Sequence, residues 1–247
     1  MMIPRKYGNE PKIIIFSGAG LDAPSGIQTF RGTNGLWNDH KIADVCTESS
    51  WKKNFELIHK FYNERRTSLK DSKPNSAHLI IKEIVDKYGP ENVFNITMNI
   101  SDFFERLNVP TLHLHGELTK MSCDACGKSW SVDYKEFDIS SDICKCGSLK
   151  GVRPKIVFFG GVAPMYSYYK RALEYLDEED SIVVVIGTQG NVIEINKDLM
   201  RKPCHKVLCN LESSPYIRES NFEKVYIESV ETAMPKIKDY IFSTFKP

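Results

Sequence analysis

Residues 12 to 26 read KIIIFSGAGLDAPSG, and this stretch decides the fold. Residues 12–16 form a short, apolar, β-branched run ended by Ser17-Gly18-Ala19-Gly20, the pattern of a buried strand. A glycine-rich turn at the carboxyl end of the first strand of a doubly wound sheet lets backbone approach a pyrophosphate. The third glycine arrives late, at Gly26, and Pro24 interrupts the helix that would follow. The glycines alone therefore fit a tight turn without a ligand equally well.

Working outward, comparable apolar runs recur at residues 93–97, 111–114, 156–159, 182–186 and 207–210. Helical periodicity lies between and after them, at 51–69, 76–88, 166–176 and 233–245, with Asn75 as the expected cap of the second helix. Strands alternating with helices predict an α/β fold, a Rossmann-like doubly wound parallel sheet. Residues 119–152 break the pattern. They are rich in Cys, Ser, Lys, Asp and Gly and lack an apolar period, so they read as an insertion unable to build its own core.

The 247 residues suffice for one large domain with a sizeable core. Lys plus Arg is 33 and Asp plus Glu is 32, so overall charge gives no reason to expect direct nucleic-acid or membrane binding. No apolar run approaches the roughly 20 residues of a membrane span. The apolar run that leads into Ser17 is only four residues long, too short for a signal-peptide core, so a cytoplasmic location is expected. The oligomeric state is not legible.

Four of the seven cysteines cluster as Cys123, Cys126, Cys144 and Cys146. This is C-x2-C, seventeen residues, then C-x-C, a spacing that can close a tetrahedral zinc site. A metal would supply the folding energy this polar segment lacks, and with no open ligand position the site reads as structural. His113 and His115 flank the end of the 111–114 run. A histidine there can titrate in a cleft, but parity does not choose between the two, and a satisfied core histidine is the commoner outcome. Tyr62 and Arg65 are three apart on an expected helix and share a face, where phenol and guanidinium together could hold a carboxylate. By themselves they fit an interfacial Tyr beside a solvated Arg better.

Taken together, these motifs resemble the sirtuin family, the NAD-dependent protein lysine deacylases, over nearly the whole chain and in the family's order. GAGLDAPSGIQTFRG (18–32) is similar to its first cofactor motif, TMNIS (97–101) to its second, and HLHGEL (113–118) to its catalytic His-Gly. The cysteine pairs, IVFFGG (156–161), GTQGNV (187–192) and NLE (210–212) follow in place. The segment 35–66 resembles the desuccinylase and demalonylase branch, with Tyr62 and Arg65 at its Tyr-x-x-Arg and Cys46 at the small residue sixteen positions before the Tyr.

The resemblance implies a single domain, 1–247. Its Rossmann-like part would take in 1–35, 75–118 and 153–247; its small module would be helical over 36–74 and zinc-binding over 119–152. It implies NAD as co-substrate, one structural zinc, and acyl-lysine proteins or peptides as substrates. The acyl-lysine carbonyl oxygen would attack the ribose carbon bearing nicotinamide, with His115 as general base and Asn99 positioning the ribose. Products would be nicotinamide, free lysine and 2′-O-acyl-ADP-ribose. NAD would be held by Gly18, Ala19, Gly20, Thr29, Phe30, Arg31, Trp37, Met98, Asn99, Ile100, Ser101, Gly187, Thr188, Gln189, Asn210, Leu211 and Glu212. The substrate would meet Tyr62, Arg65 and Cys46, with its backbone paired to the strands near Phe159 and Val192.

Five positions differ from the family's pattern. Asp22 stands for Ser, Met98 for Gln, Ser101 for Asp, Gly161 for Glu and Gln189 for Ser. The family's Asp contacts the nicotinamide amide, so Ser101 predicts slow nicotinamide cleavage. It also leaves two alternatives to deacylation open on the same scaffold: NAD hydrolysis or ADP-ribosyl transfer, and binding of NAD or ADP-ribose with weak catalysis. Asp22 would repel a pyrophosphate unless turned away.

Overall fold

The computed structural model describes residues 12–28, 36–37 and 40–245, with the backbone alone for Leu36 and Trp37. Six strands form one sheet in the order Lys224–Ile227, His205–Asn210, Ile182–Ile186, Ile13–Ser17, Val93–Thr97, Thr111–His113. Every pairing in it is parallel. Successive residues of Ile13–Ser17 serve opposite faces, because side chains alternate along a strand. Ile13 and Ile15 join the core under helices Ser76–Tyr88 and Val230–Thr244. Ile14 and Phe16 join the core under Tyr166–Ala172, the 3-10 turn Leu173–Asp177 and Ile195–Leu199. All four are buried, and complete burial of such a side chain stabilises by about 1.5–3 kcal/mol. This is the expected doubly wound arrangement.

Strand order reverses at Ile13–Ser17, which pairs with Val93–Thr97 on one side and Ile182–Ile186 on the other. The carboxyl ends there form the crevice where open α/β sheets bind ligands. Helix Ser76–Tyr88 starts where its cap predicts: the Asn75 side chain accepts from the Ala77 and His78 N–H groups, and its amide donates to Leu21 O. The cap thereby fastens that helix to the turn after the first strand.

A second body lies beside the sheet. Helix Phe55–Asp71 packs Ile58, Phe61, Tyr62 and Leu69 with Val45, Trp51, Leu118 and Phe158. Next to it a three-stranded antiparallel sheet, Ser129–Ser131, Gly116–Cys123 and Val152–Ile156, carries the cysteines.

Two expectations about strands need correction. The run 156–159 is not a strand of the parallel sheet: Val152–Ile156 pairs antiparallel with Gly116–Cys123, and the chain then ties itself to His115 and Cys46 by backbone bonds. Phe158 is buried in the core of the second body and Ile156 packs against it half-buried, while Phe159 is exposed, so the run reads like a core strand without being one. The edge strand Lys224–Ile227 is an addition to the expected set: its residues are mostly exposed and its apolar run, Val225 to Ile227, is only three residues long.

Candidate active site

At the crevice, Gly18 N–H donates to Ile186 O and Gly20 N–H to Gly187 O, both at 2.9 Å. A Cβ on Gly20 would lie 2.6 Å from the Gly187 Cα, so the two loops close only on glycine. The turn after the first strand is thereby locked to the loop after Ile182–Ile186. Asn210 fixes the other flank, accepting from Thr188 N–H and donating to Thr188 O.

These loops open onto a cleft of about 950 Å³ between the two bodies. The motif residues reach it from separate elements. Ala19 and Gly20 come from the first turn, Met98 to Ser101 follow the second strand, and Gly187 to Gln189 follow Ile182–Ile186. Asn210, Leu211 and Glu212 close one end. Cys46, Tyr62, Arg65, Phe159 and Val192 line the other parts, with His115 among them. Gly18 sits behind the cleft, its carbonyl accepting from the Asn99 side chain at 3.0 Å. Thr29, Phe30 and Arg31 lie outside the described residues, as does the side chain of Trp37.

Geometry distinguishes the two histidines that parity could not. Nδ1 of His113 donates to Asn99 O and Nε2 to the Glu105 carboxylate, each at 2.9 Å. Burial pushes its pKa down, but Glu105 outweighs burial and the net shift is upward. With both nitrogens committed, it is a strut for the Asn99 backbone. His115 faces the cleft. Its Nδ1 lies 3.1 Å from Met98 O, and a carbonyl can only accept, so Nδ1 carries the hydrogen and Nε2 offers a lone pair. Burial pushes its pKa down, partly offset by the Met98 bond. Such an imidazole is unprotonated at neutral pH and can take a proton at Nε2. That atom now accepts from the Tyr166 hydroxyl at 2.9 Å. Tyr166 lies 51 positions along the chain, and no sequence signal marks it.

The acyl end is built on helix Phe55–Asp71. Tyr62 and Arg65 share its cleft-facing side, 1% and 7% exposed. Arg65 donates to Phe61 O at 2.7 Å and stacks 3.2 Å from the Phe61 ring centre, which fixes its fork. Burial draws its pKa down to about 10, so it remains cationic at neutral pH. The Tyr62 hydroxyl lies 3.7 Å from Cys46 Sγ, whose thiol burial pushes up to about 11 and so keeps protonated. At Phe159 itself the backbone N–H and C=O are taken by Cys46 O and Glu48 N–H. Phe159 offers the cleft its exposed ring instead.

The departures from the family's pattern also find places. Asp22 is turned away from the glycine turn and accepts from Ser101 Oγ. A Cβ on Gly161 would come within 3.1 Å of the Glu48 carboxylate, which forms a two-pronged ion pair with Arg153. A side chain from position 48 thus stands where the pattern has a glutamate at 161.

The four clustered thiols meet the geometric demand of a metal. Their sulfurs lie within 4.8 Å of one another, with Cys123–Cys146 at 3.7 Å and Cys126–Cys144 at 3.6 Å. Zinc–sulfur bonds of about 2.3 Å in a tetrahedron put sulfurs about 3.8 Å apart, and a disulfide would need about 2.05 Å. Gly127 and Gly147 take positive φ just after Cys126 and Cys146, the tight turns that follow each cysteine pair. Zinc there would hold the small sheet together. Among the described residues no helix is long and apolar enough to cross a membrane.

Comparison with known proteins agrees with this geometry. The Sir2 family model matches residues 18–194. An NAD-dependent protein deacylase of Helicobacter hepaticus is 36% identical, covering 95% of this chain and 99% of its own. One from Escherichia coli is 31% identical, covering 96% and 84%. Among solved structures, a mutant Sir2 homologue in complex with ADP-ribose superposes with a TM-score of 0.81 at 26% identity, covering 95% of this chain and 93% of that one.

Proposed function

This chain belongs to the Sir2 family, whose members are NAD-dependent protein deacylases, and on that premise we propose that it removes acidic acyl groups, succinyl or malonyl, from protein lysines. The observation that carries the reading is the placement of Arg65 and Tyr62 in the cleft that also holds His115. A guanidinium held rigidly beside a phenol binds a carboxylate with two parallel hydrogen bonds, which a neutral acetyl group cannot use. The thiol of Cys46, protonated and small, leaves room beside them.

NAD when bound supplies a ribose carbon made electrophilic by its bond to a cationic nicotinamide. The chain's own groups do the rest. Asn99 is held by Gly18 O and by its N–H to Thr97 Oγ1, so its position in the cleft is fixed. His115 takes a hydroxyl proton at Nε2 once Tyr166 has yielded that atom, while Met98 O keeps the ring from turning. Arg65 holds the acyl carboxylate and so sets the depth of the lysine. Cys123, Cys126, Cys144 and Cys146 hold zinc away from the chemistry.

The test incubates the protein with NAD and succinyl-, malonyl- or acetyl-lysine peptide, following both nicotinamide and peptide mass. The reading expects nicotinamide and deacylated peptide in equal amounts, fastest with the acidic groups. Nicotinamide without deacylated peptide would assign NAD hydrolysis or ADP-ribosyl transfer instead. Equal rates on acetyl-lysine would refute the acyl preference.

A further inference from the structure

Asp22 and Ser101, 79 positions apart, meet beneath the cleft. Ser101 Oγ donates to Asp22 Oδ2 at 2.6 Å, and His78 Nε2 donates to Asp22 Oδ1 at 3.2 Å. His78 has no freedom in this. Its Nδ1 accepts the Asn75 backbone N–H at 3.2 Å, so the hydrogen is on Nε2. Its ring is fully buried, edge-on to Phe103 and Phe104. Asp22 is 3% exposed and Ser101 8% exposed, and both border the cleft.

Two consequences follow from elementary hydrogen-bond chemistry. A serine hydroxyl has one hydrogen, and here it is spent on Asp22. Ser101 therefore presents only lone pairs to the cleft, sharpened by a carboxylate directly behind it. The complementary ligand group is a hydrogen-bond donor of positive character. Of the parts of NAD, only the nicotinamide end combines a cationic ring with a carboxamide NH2.

Set against the family's pattern, Asp22 and Ser101 are a serine and an aspartate that have changed places, and the structure puts the two in contact. Read separately, each is a defect; read together, the same hydroxyl and the same carboxylate remain, with the charge moved one hydrogen bond back from the cleft. We propose that Asp22 and Ser101 act as one exchanged unit, in which Asp22 is a positioning residue that orients Ser101 as an acceptor for the nicotinamide end of NAD. The inference rests on the deacylase reading only in taking NAD as the ligand.

Four variants test it: Asp22→Asn, Asp22→Ser, Ser101→Asp, and the last two combined. NAD and ADP-ribose affinities are measured by calorimetry, nicotinamide inhibition by initial rates, and thermal midpoint by scanning. Ser101→Asp places two carboxylates at hydrogen-bond distance, and Asp22→Ser and Asp22→Asn remove the charge. Each single change is expected to weaken NAD binding and nicotinamide inhibition by about tenfold or more. ADP-ribose, which lacks the nicotinamide, is expected to bind within about twofold of wild type. The double exchange is expected to restore NAD affinity to within a few-fold. Asp22→Asn keeps the shape of the side chain, so a folding failure of Asp22→Ser does not decide the matter. A double exchange no better than the worse single change overturns the proposal. So does a parallel fall in ADP-ribose affinity and thermal midpoint, which would make the pair merely structural. A wild type that binds NAD yet leaves acyl-lysine intact would sink the deacylase reading alone, since the exchange is read from affinity.

Discussion

His59 ties the helix that carries Tyr62 and Arg65 to the zinc-bearing sheet, and it makes the protein's stability depend on pH in a calculable way. Its Nε2 donates to Val152 O at 3.0 Å, and its ring stacks 4.4 Å from Phe137 and meets Phe55 edge-on. It is 1% exposed, and among the described residues its Nδ1 has no hydrogen-bond partner. Protonating Nδ1 would bury a cation with nothing to accept from it, close to Arg66. Burial, partly offset by the bond to Val152 O and reinforced by nearby Arg66, pushes its pKa from 6.5 to about 4. Between those values the unfolded chain binds a proton that the folded chain refuses. Stability is therefore full above pH 6.5 and is lost as pH falls toward 4. A gap of about 2.5 pH units at about 1.4 kcal/mol each gives about 3.5 kcal/mol in all, of which about 2 kcal/mol is lost by pH 5. Urea unfolding near pH 7 and near pH 5 reads this directly. His59→Gln keeps a donor for Val152 O and removes the titration. Wild type is expected to lose about 2 kcal/mol more than the variant between the two conditions. Equal losses would refute the reasoning, because every other titrating group is common to both proteins.

Two further outcomes follow from the site. Cys126→Ala removes one of four thiolates, so metal analysis is expected to fall from about one zinc per chain toward none, with loss of thermal stability; a stable variant with unchanged metal would contradict the assignment. His115→Ala is expected to abolish deacylation. In wild type the acid limb of kcat/KM against pH is expected below the usual histidine range, since burial holds His115 unprotonated there; a limb above that range would remove His115 as the base.

The strand of residues 13–17 and the Asn75 cap were legible because each is decided locally, by side chains a few positions apart. The zinc site was legible for the same reason, its spacing being set by turns at Gly127 and Gly147. What failed was long-range. The run 156–159 places Phe158 in the core of the second body and Phe159 at the cleft, and no periodicity says which sheet claims it. His113 and His115 share strand parity, so only Glu105 and Met98 O, brought in by other elements, separate strut from candidate base. Asp22 and Ser101, taken singly, predict a repelling charge and a missing one. Their 2.6 Å contact turns two expected defects into one polar pair. Tyr166 on His115 and Glu48 beside Gly161 belong to the same class of contact between distant segments.

The acyl preference is tested most directly by kcat/KM on succinyl-lysine and acetyl-lysine peptides, compared between wild type and Arg65→Met. Met keeps much of the apolar stem but removes the fork. The succinyl value is expected to fall on the order of a hundredfold, as for loss of a charged hydrogen-bond partner, with acetyl nearly unchanged. An equal fall on both peptides would make Arg65 a structural residue of the helix and contradict the proposed acidic-acyl specificity.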